Sequence, residues 1–479
     1  MTETQKSSFE ESTLNRNVLN AEYAVRGAIA VKAQKYGEQM RLGEDLGFTS
    51  IIQCNIGNPQ ILHQKPVTFF RQVLALCDYP DLLEKEEAKA LFPADARARA
   101  AEYMGRISGG TGAYSESKGA LVCREHVAKG IEERDGHPCD TDDLWLVDGA
   151  SAAVNYILQI LIRDENDAVL VPIPQYPLYS ATLSLLGGAM VGYYLDEKSG
   201  WQCTIDKLRE TVQQARDQGK CVRAITVINP GNPTGQVMDR ETQEAVVRLC
   251  EEEGLVLIAD EVYQCNVYAE KKRFDSFKKV VRDMGSKAHL LSMNSISKGF
   301  FGECGRRGGY MECVNFPEGV KQQLYKLSSI KLCPNINGQI CIAMVMNPPR
   351  EGDESFELYD REKHGILDSL ARRAKMVVQS LNKLDGVSCN EVEGALYAFP
   401  RLEGLESKGS AEGDGPADAQ YCMALLDATG IVTVPGSGFG QEPGTLHVRT
   451  TILPPENEVA ETMARWAKFH QSYMAKQAA

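Results

Sequence analysis

The chain has 479 residues, 43% hydrophobic and 24% charged, with a formal net charge of -13. At about 150 residues per domain it is long enough for roughly three domain-sized units and for large buried cores. The ordinary charge content excludes a disordered acidic chain, and the acidic excess argues against a general nucleic-acid binder, which needs a basic face. Apolar runs such as Ile340 to Met346 are far too short to cross a bilayer.

The 14 cysteines are scattered, with Cys333/Cys341 and Cys304/Cys313 the nearest pairs and no Cys-x-x-Cys. Clustered thiolate ligation of a metal is therefore not expected, and buried, inert thiols in a reducing compartment are. Met1 to Glu11 carries acidic groups and no Arg, the wrong chemistry for a mitochondrial presequence. The cytoplasm is the default expectation, although a processed organellar form would look the same.

In chain order, residues 1–15 are polar and read as a mobile arm. Val18 to Gln39 has a helical pattern. Ser50 to Ile56 reads as a strand ending in the turn Gly57-Asn58-Pro59. From about residue 80, helices alternate with short apolar strands. The strands expected are Leu144 to Val147, Ala168 to Val171, Arg223 to Ile228, Leu255 to Ala259 and Leu290 to Met293. Helices are expected at Val154 to Ile162 and Glu241 to Glu253. Continuous apolar strands separated by helices predict a mostly parallel sheet covered on both faces. Glu354 to Leu384 is a long charged helical pattern that could link two domains. Gly404 to Pro416 reads as a surface loop, and strand signals return at Ile431 to Val434 and Leu446 to Arg449.

Five segments at strand ends could carry chemistry. Ser295-Ile296-Ser297-Lys298-Gly299 follows an apolar strand; a surface lysine is the bland reading, but such a site could desolvate an amine and lower its pKa, as a Schiff-base lysine needs. Asn229-Pro230-Gly231-Asn232-Pro233-Thr234-Gly235 forces a fixed turn, which is either only a turn or a support for the Asn232 amide over a ligand. Asp260-Glu261-Val262-Tyr263 puts a carboxylate where a buried strand stops, to cap the next element or to pair with a ligand cation. In Asp148-Gly149-Ala150-Ser151, Ser151 reads as an N-cap, and a helix N-terminus there would also suit an anion. Gly302-Glu303-Cys304-Gly305-Arg306-Arg307-Gly308-Gly309-Tyr310 sets two arginines among glycines, which suits bidentate binding of phosphate.

Taken together and in this order, the five resemble the class I/II aminotransferases, pyridoxal-phosphate enzymes of fold type I. Within them they resemble the eukaryotic alanine-type branch. The narrower resemblance rests on Cys54-Asn55-Ile56-Gly57-Asn58-Pro59-Gln60, Pro66-Val67-Thr68-Phe69-Phe70-Arg71, Pro172-Ile173-Pro174-Gln175-Tyr176-Pro177-Leu178-Tyr179, Gly302-Glu303-Cys304-Gly305 and Pro435-Gly436-Ser437-Gly438-Phe439-Gly440-Gln441. It runs from about residue 15 to about residue 475.

The resemblance implies an α/β fold: a large domain with a mostly parallel seven-stranded sheet covered by helices, and a smaller α/β domain. The expected division is an arm over 1–25, a large domain over 66–360, and a small domain from 26–65 plus 361–479. It implies pyridoxal 5'-phosphate as cofactor and no metal. Lys298 would form the Schiff base with the cofactor aldehyde and act as general base. Asp260 would pair with the ring nitrogen, Asn232 and Tyr263 would bond the ring oxygen, and Tyr176 would stack on the ring. Ala150, Ser151, Ser295, Ser297 and Arg307 would hold the phosphate. An aspartate-type spacing would select Arg306 instead; the alanine-type pattern selects Arg307. Arg449 would grip the substrate α-carboxylate, with Asn232 and the backbone of Gly57 beside it. Tyr114 would reach the phosphate of a neighbouring subunit, in a homodimer with shared active sites. One departure is Ala152-Ala153, where the family often has a proline after the phosphate serine; the anion-binding N–H groups do not need those side chains.

The implied reaction is ping-pong transamination between L-alanine and 2-oxoglutarate, giving pyruvate and L-glutamate. Its partners would be small amino acids and 2-oxo acids, with neither nucleic acid nor membrane. The alternative is a glutamate:glyoxylate aminotransferase on the same scaffold. A lyase on this fold is a further rival. A DNA-binding regulator would need an added basic segment, which the N-terminal arm is too short to hold, and the glycine-rich stretches at Gly109 and Gly436 do not fit a dinucleotide fingerprint.

Overall fold

A computed structural model of the chain describes residues 9–23, 27–405 and 415–477. Its centre is a seven-stranded sheet in the order Leu144–Val147, Gly309–Val314, Leu290–Ser295, Val256–Asp260, Cys221–Ile228, Asp167–Ile173, Ala189–Tyr194. Gly309–Val314 runs antiparallel to both neighbours, and the other pairings are parallel. Leu144–Val147 and Asp167–Ile173 are buried along their whole length, as strands covered on both faces must be.

Two of the seven strands were not expected. Ala189–Tyr194 is a half-buried edge strand interrupted by Gly192. Gly309–Val314 is wholly buried but contains Glu312, whose Oε1 is 2.6 Å from the Nζ of the equally buried Lys278. A buried ion pair makes an interior strand look polar along the chain.

The chain's two ends form a second core. Ile52–Gln53 pairs in parallel with Ile431–Val432, and Val448–Thr451 lies between Tyr397–Ala398 and Val434–Pro435. Leu370, Val377, Tyr421 and Trp466 pack beneath them. The helix Phe356–Leu381 joins the cores, with Tyr359 in one and Leu370 in the other.

Three local expectations are corrected. The helix expected from Val18 to Gln39 is interrupted: Arg16–Leu19 and Ala28–Arg41 are helical, and Gly27 caps the second. Between them Tyr23 leaves the helical path, its hydroxyl 2.7 Å from that of Tyr176. The strand expected over Ser50 to Ile56 is only Ile52–Gln53, because its one partner is two residues long and the chain then turns through Asn55 to Gly57. Helix Ala150–Leu161 starts before Ser151, with Gly149 as its N-cap. Of the expected arm over 1–15, the described residues 9–15 are exposed; just beyond it, Asn17 Nδ2 donates to the Leu185 carbonyl at 3.2 Å. Residues 1–8 and most of the expected 404–416 loop lie outside the described residues.

Candidate active site

The parallel strands stop together, and their ends open into a cavity of about 470 Å³, in the position where open α/β sheets bind ligands. Segments far apart in sequence line it. Gly57, Ala150, Ser151, Tyr176, Asn232, Asp260, Tyr263, Ser295, Ser297, Lys298, Arg307 and Arg449 all reach this one space. Of the expected site residues only Tyr114 stays outside, 75% exposed on the surface.

One end of the cavity is built for an anion. The first turn of Ala150–Leu161 directs unpaired backbone N–H groups into it. The hydroxyls of Ser151, Ser295 and Ser297 gather there. Ser295 Oγ donates to Ser297 Oγ at 3.1 Å, and Arg307 reaches Ser297 Oγ at 3.4 Å and Ser151 Oγ at 3.3 Å. Arg307 also donates to the carbonyls of Asp148 and Cys304. Every one of these acceptors is neutral, so a guanidinium charge faces the cavity uncompensated. Arg307 sits at φ 52°, a left-handed conformation uncommon outside glycine. The adjacent Arg306 lies outside the cavity and pairs with Glu303 at 3.3 Å.

The floor is Asp260, 5% exposed, at the end of its strand. Tyr179 donates to its Oδ2 at 2.9 Å and the Val262 N–H to its Oδ1 at 3.4 Å. Burial pushes its carboxyl up; those two bonds and the charge of Lys298 pull it back. A carboxylate so placed suits a cationic ring nitrogen. Lys298 donates from Nζ to the Gly57 carbonyl at 2.8 Å, at the cavity wall.

Arg449, 1% exposed, lines the same cavity. It donates to Asn232 Oδ1 at 3.1 Å and to the Asn55 carbonyl, and its Nε has no acceptor. Its guanidinium carbon lies 4.4 Å from the ring centre of Tyr397 and 4.5 Å from that of Phe439. A buried guanidinium surrounded by neutral groups is costly until a carboxylate arrives. Two arginines without a carboxylate partner, an amine and a carboxylate lining one cavity match the charges of pyridoxal phosphate plus an amino acid. The donor set fits that cofactor. Among the described residues no cluster of His, Cys, Asp and Glu could hold a metal.

Sequence reasoning missed several participants. Tyr397 and Tyr23 line the cavity, and Tyr179 supports Asp260 from behind. Glu303, 3% exposed, accepts two bonds of 3.0 Å from Arg71, which also donates to Gln60 Oε1; Gln60 in turn donates to the Gly302 carbonyl. This brace ties the turn after Gly57 to the loop after Lys298. Gln60, Arg71 and Glu303 each sat within a quoted motif, but only the fold shows that they touch.

A family model described as aminotransferase class I and II matches residues 80–465. Alanine aminotransferase 2 of Panicum miliaceum is 52% identical over 472 residues, covering 97% of this chain and 98% of that protein. Glutamate–glyoxylate aminotransferase 2 of Arabidopsis thaliana is 47% identical over 477 residues, 98% of this chain and 97% of that protein. The solved structure of an alanine aminotransferase from Pyrococcus furiosus superposes with a TM-score of 0.76 at 26% identity, covering 96% of this chain and all of that one.

Proposed function

This chain belongs to the class I and II aminotransferases, and we propose that it transfers the amino group of L-alanine to 2-oxoglutarate, giving pyruvate and L-glutamate. It is an enzyme of a pyridoxal-phosphate-dependent family. When bound, the cofactor supplies an aldehyde for the substrate amine and a ring that accepts electrons.

The chain's own residues take the remaining work in this reading. Ser151, Ser295, Ser297, Arg307 and the N–H groups from Ala150 onward bind the phosphate. Asp260 holds a proton at the ring nitrogen, Asn232 and Tyr263 bond the ring oxygen, and Tyr176 packs on the ring and excludes water. Arg449, with Asn232 and the Gly57 backbone, orients the substrate α-carboxylate. Lys298 then takes the proton from the α carbon and returns it on the other side of the transfer. The observation that carries this reading is the pairing of Lys298 with a buried, uncompensated Arg449 across one cavity. The preference for alanine is supported by the name of a relative 52% identical over nearly the whole chain.

The second reading is glutamate:glyoxylate transfer, favoured by a 47% identical relative of that name. Mixing the holoenzyme with alanine, glutamate or glycine while following the cofactor's visible band separates the two. Alanine should convert the band and pyruvate should restore it, and Lys298→Ala should lose both band and turnover. Silence toward alanine, with glyoxylate far better than pyruvate, makes the second reading the correct one.

Three further parts of the reading are proposals. The chain divides into an arm over 1–25, a large domain over 66–360 and a small domain from 26–65 plus 361–479, in keeping with the two cores. The enzyme works as a homodimer in which the exposed Tyr114 serves the neighbouring site; light scattering and Tyr114→Phe cofactor affinity test this together. Its compartment is the cytoplasm, with which fourteen free cysteines agree; cell fractionation checks it. Among the described residues no helix is long and apolar enough to cross a membrane.

A further inference from the structure

Tyr397 belongs to none of the motifs that led to the cavity. The two-residue strand Tyr397–Ala398 pairs with Val448–Thr451, so Tyr397 stands opposite Thr451 beside Arg449. Its ring lies against the Arg449 guanidinium at 4.4 Å. Its hydroxyl accepts from the Tyr263 hydroxyl at 3.3 Å, and the two rings meet edge to face. The same hydroxyl and Lys298 Nζ crowd one point, the place a Cβ on Gly57 would occupy. One phenol, 2% exposed, thus touches the groups that handle the substrate's carboxylate and its proton.

We propose that Tyr397 is a positioning residue of the transamination site: its ring fixes the Arg449 guanidinium for the carboxylate, and its oxygen, set beside Lys298 Nζ, stabilises positive charge there. The inference rests on the function proposed above. Burial pushes the Tyr397 phenol up, but the charges of Lys298 and Arg449 and the bond from Tyr263 draw it below a tyrosine's ordinary value. Tyr263 and Tyr176, in the same cavity, are pushed well up by burial. The other titratable groups acting on this cluster are Asp260 and Cys304. An electron-rich oxygen beside a cation favours the cation, and Tyr397→Phe withdraws that support.

Tyr397→Phe keeps the ring and removes the oxygen. In the holoenzyme, the pH midpoint of the bound cofactor's visible band should fall by about half a unit or more. The KM for the amino acid should stay within about twofold while kcat drops about tenfold, a loss away from carboxylate binding. Tyr397→Leu removes the ring as well and should raise that KM about tenfold, the weight of a desolvated cation–π contact. An unshifted or raised midpoint in Tyr397→Phe overturns the proposal, whatever the activity. If that variant does not fold, 3-fluorotyrosine at position 397 keeps the shape and makes the phenol more acidic; a midpoint identical to wild type then overturns it. A wild-type enzyme that transfers no amino group would instead refute the proposed function, which separates the two failures.

Discussion

Gly57 has no room for a side chain. A Cβ there would overlap the Tyr397 hydroxyl and lie 2.8 Å from Lys298 Nζ, so this glycine is required by close approach. We expect Gly57→Ala to lower kcat/KM about 100-fold by displacing the lysine, the cost of roughly 1 Å of misplacement in an active site. Circular dichroism and melting temperature should stay near wild type; steady-state kinetics at full cofactor occupancy checks this. The expected residues at strand ends were legible because each sits where local chemistry is unusual: a lysine after an apolar strand, a carboxylate at a buried strand's end, arginines among glycines. Tyr397 was not legible. Its meaning depends on Gly57, Tyr263, Lys298 and Arg449, and nothing local in Leu396-Tyr397-Ala398 distinguishes it from a core aromatic.

The helix Ala150–Leu161 delivers its N–H groups to the cavity only because Gly149 turns the chain sharply at φ 82° and ψ 164°, a region open essentially to glycine alone. A Cβ on Gly149 would also run into the Arg307 guanidinium. Gly149→Ala should therefore strain the turn and push Arg307 away together. Cofactor affinity should weaken about tenfold or more, since each 1.4 kcal/mol is a factor of ten. Spectroscopic titration of the apoenzyme with pyridoxal phosphate measures this, and unchanged affinity would count against an anion site at this helix start. The strands Leu144–Val147 and Cys221–Ile228 were readable from apolar runs alone. Gly309–Val314 was hidden by Glu312, because a charge neutralised by Lys278 from another element has the same sequence signature as an exposed one.

Behind the cavity floor, the sheet and its covering helices bury a second acid. Glu261 is 1% exposed; it accepts from Ser292 Oγ at 2.6 Å and from the Phe277 N–H at 2.7 Å. Burial pushes its carboxyl up to about 7, against the pull of Arg134 and these bonds. The folded state therefore holds this proton more tightly than the unfolded chain. Its stabilising contribution is complete below the ordinary carboxyl range and is lost as pH rises through about 7. Glu261→Gln keeps the shape and removes the titration, so its melting temperature should gain on the wild type between about pH 5 and about pH 8. Parallel curves for the two proteins would show that Glu261 does not titrate in this window. The protein as a whole carries a net charge of -13, yet its cavity gathers Lys298, Arg307 and Arg449, so an anionic substrate meets a local field opposite to that of the surface.

From the chain alone one could obtain the alternation of apolar strands and helices, the turns at strand ends and the residue types gathered there. These depend on periodicity and steric rules acting over a few neighbouring residues. The Gln60–Arg71–Glu303 brace, the buried Lys278–Glu312 pair and the placement of Tyr397 emerge only when distant segments pack. Each is a contact whose energy depends on burial and on a partner elsewhere in the chain, and neither is encoded locally.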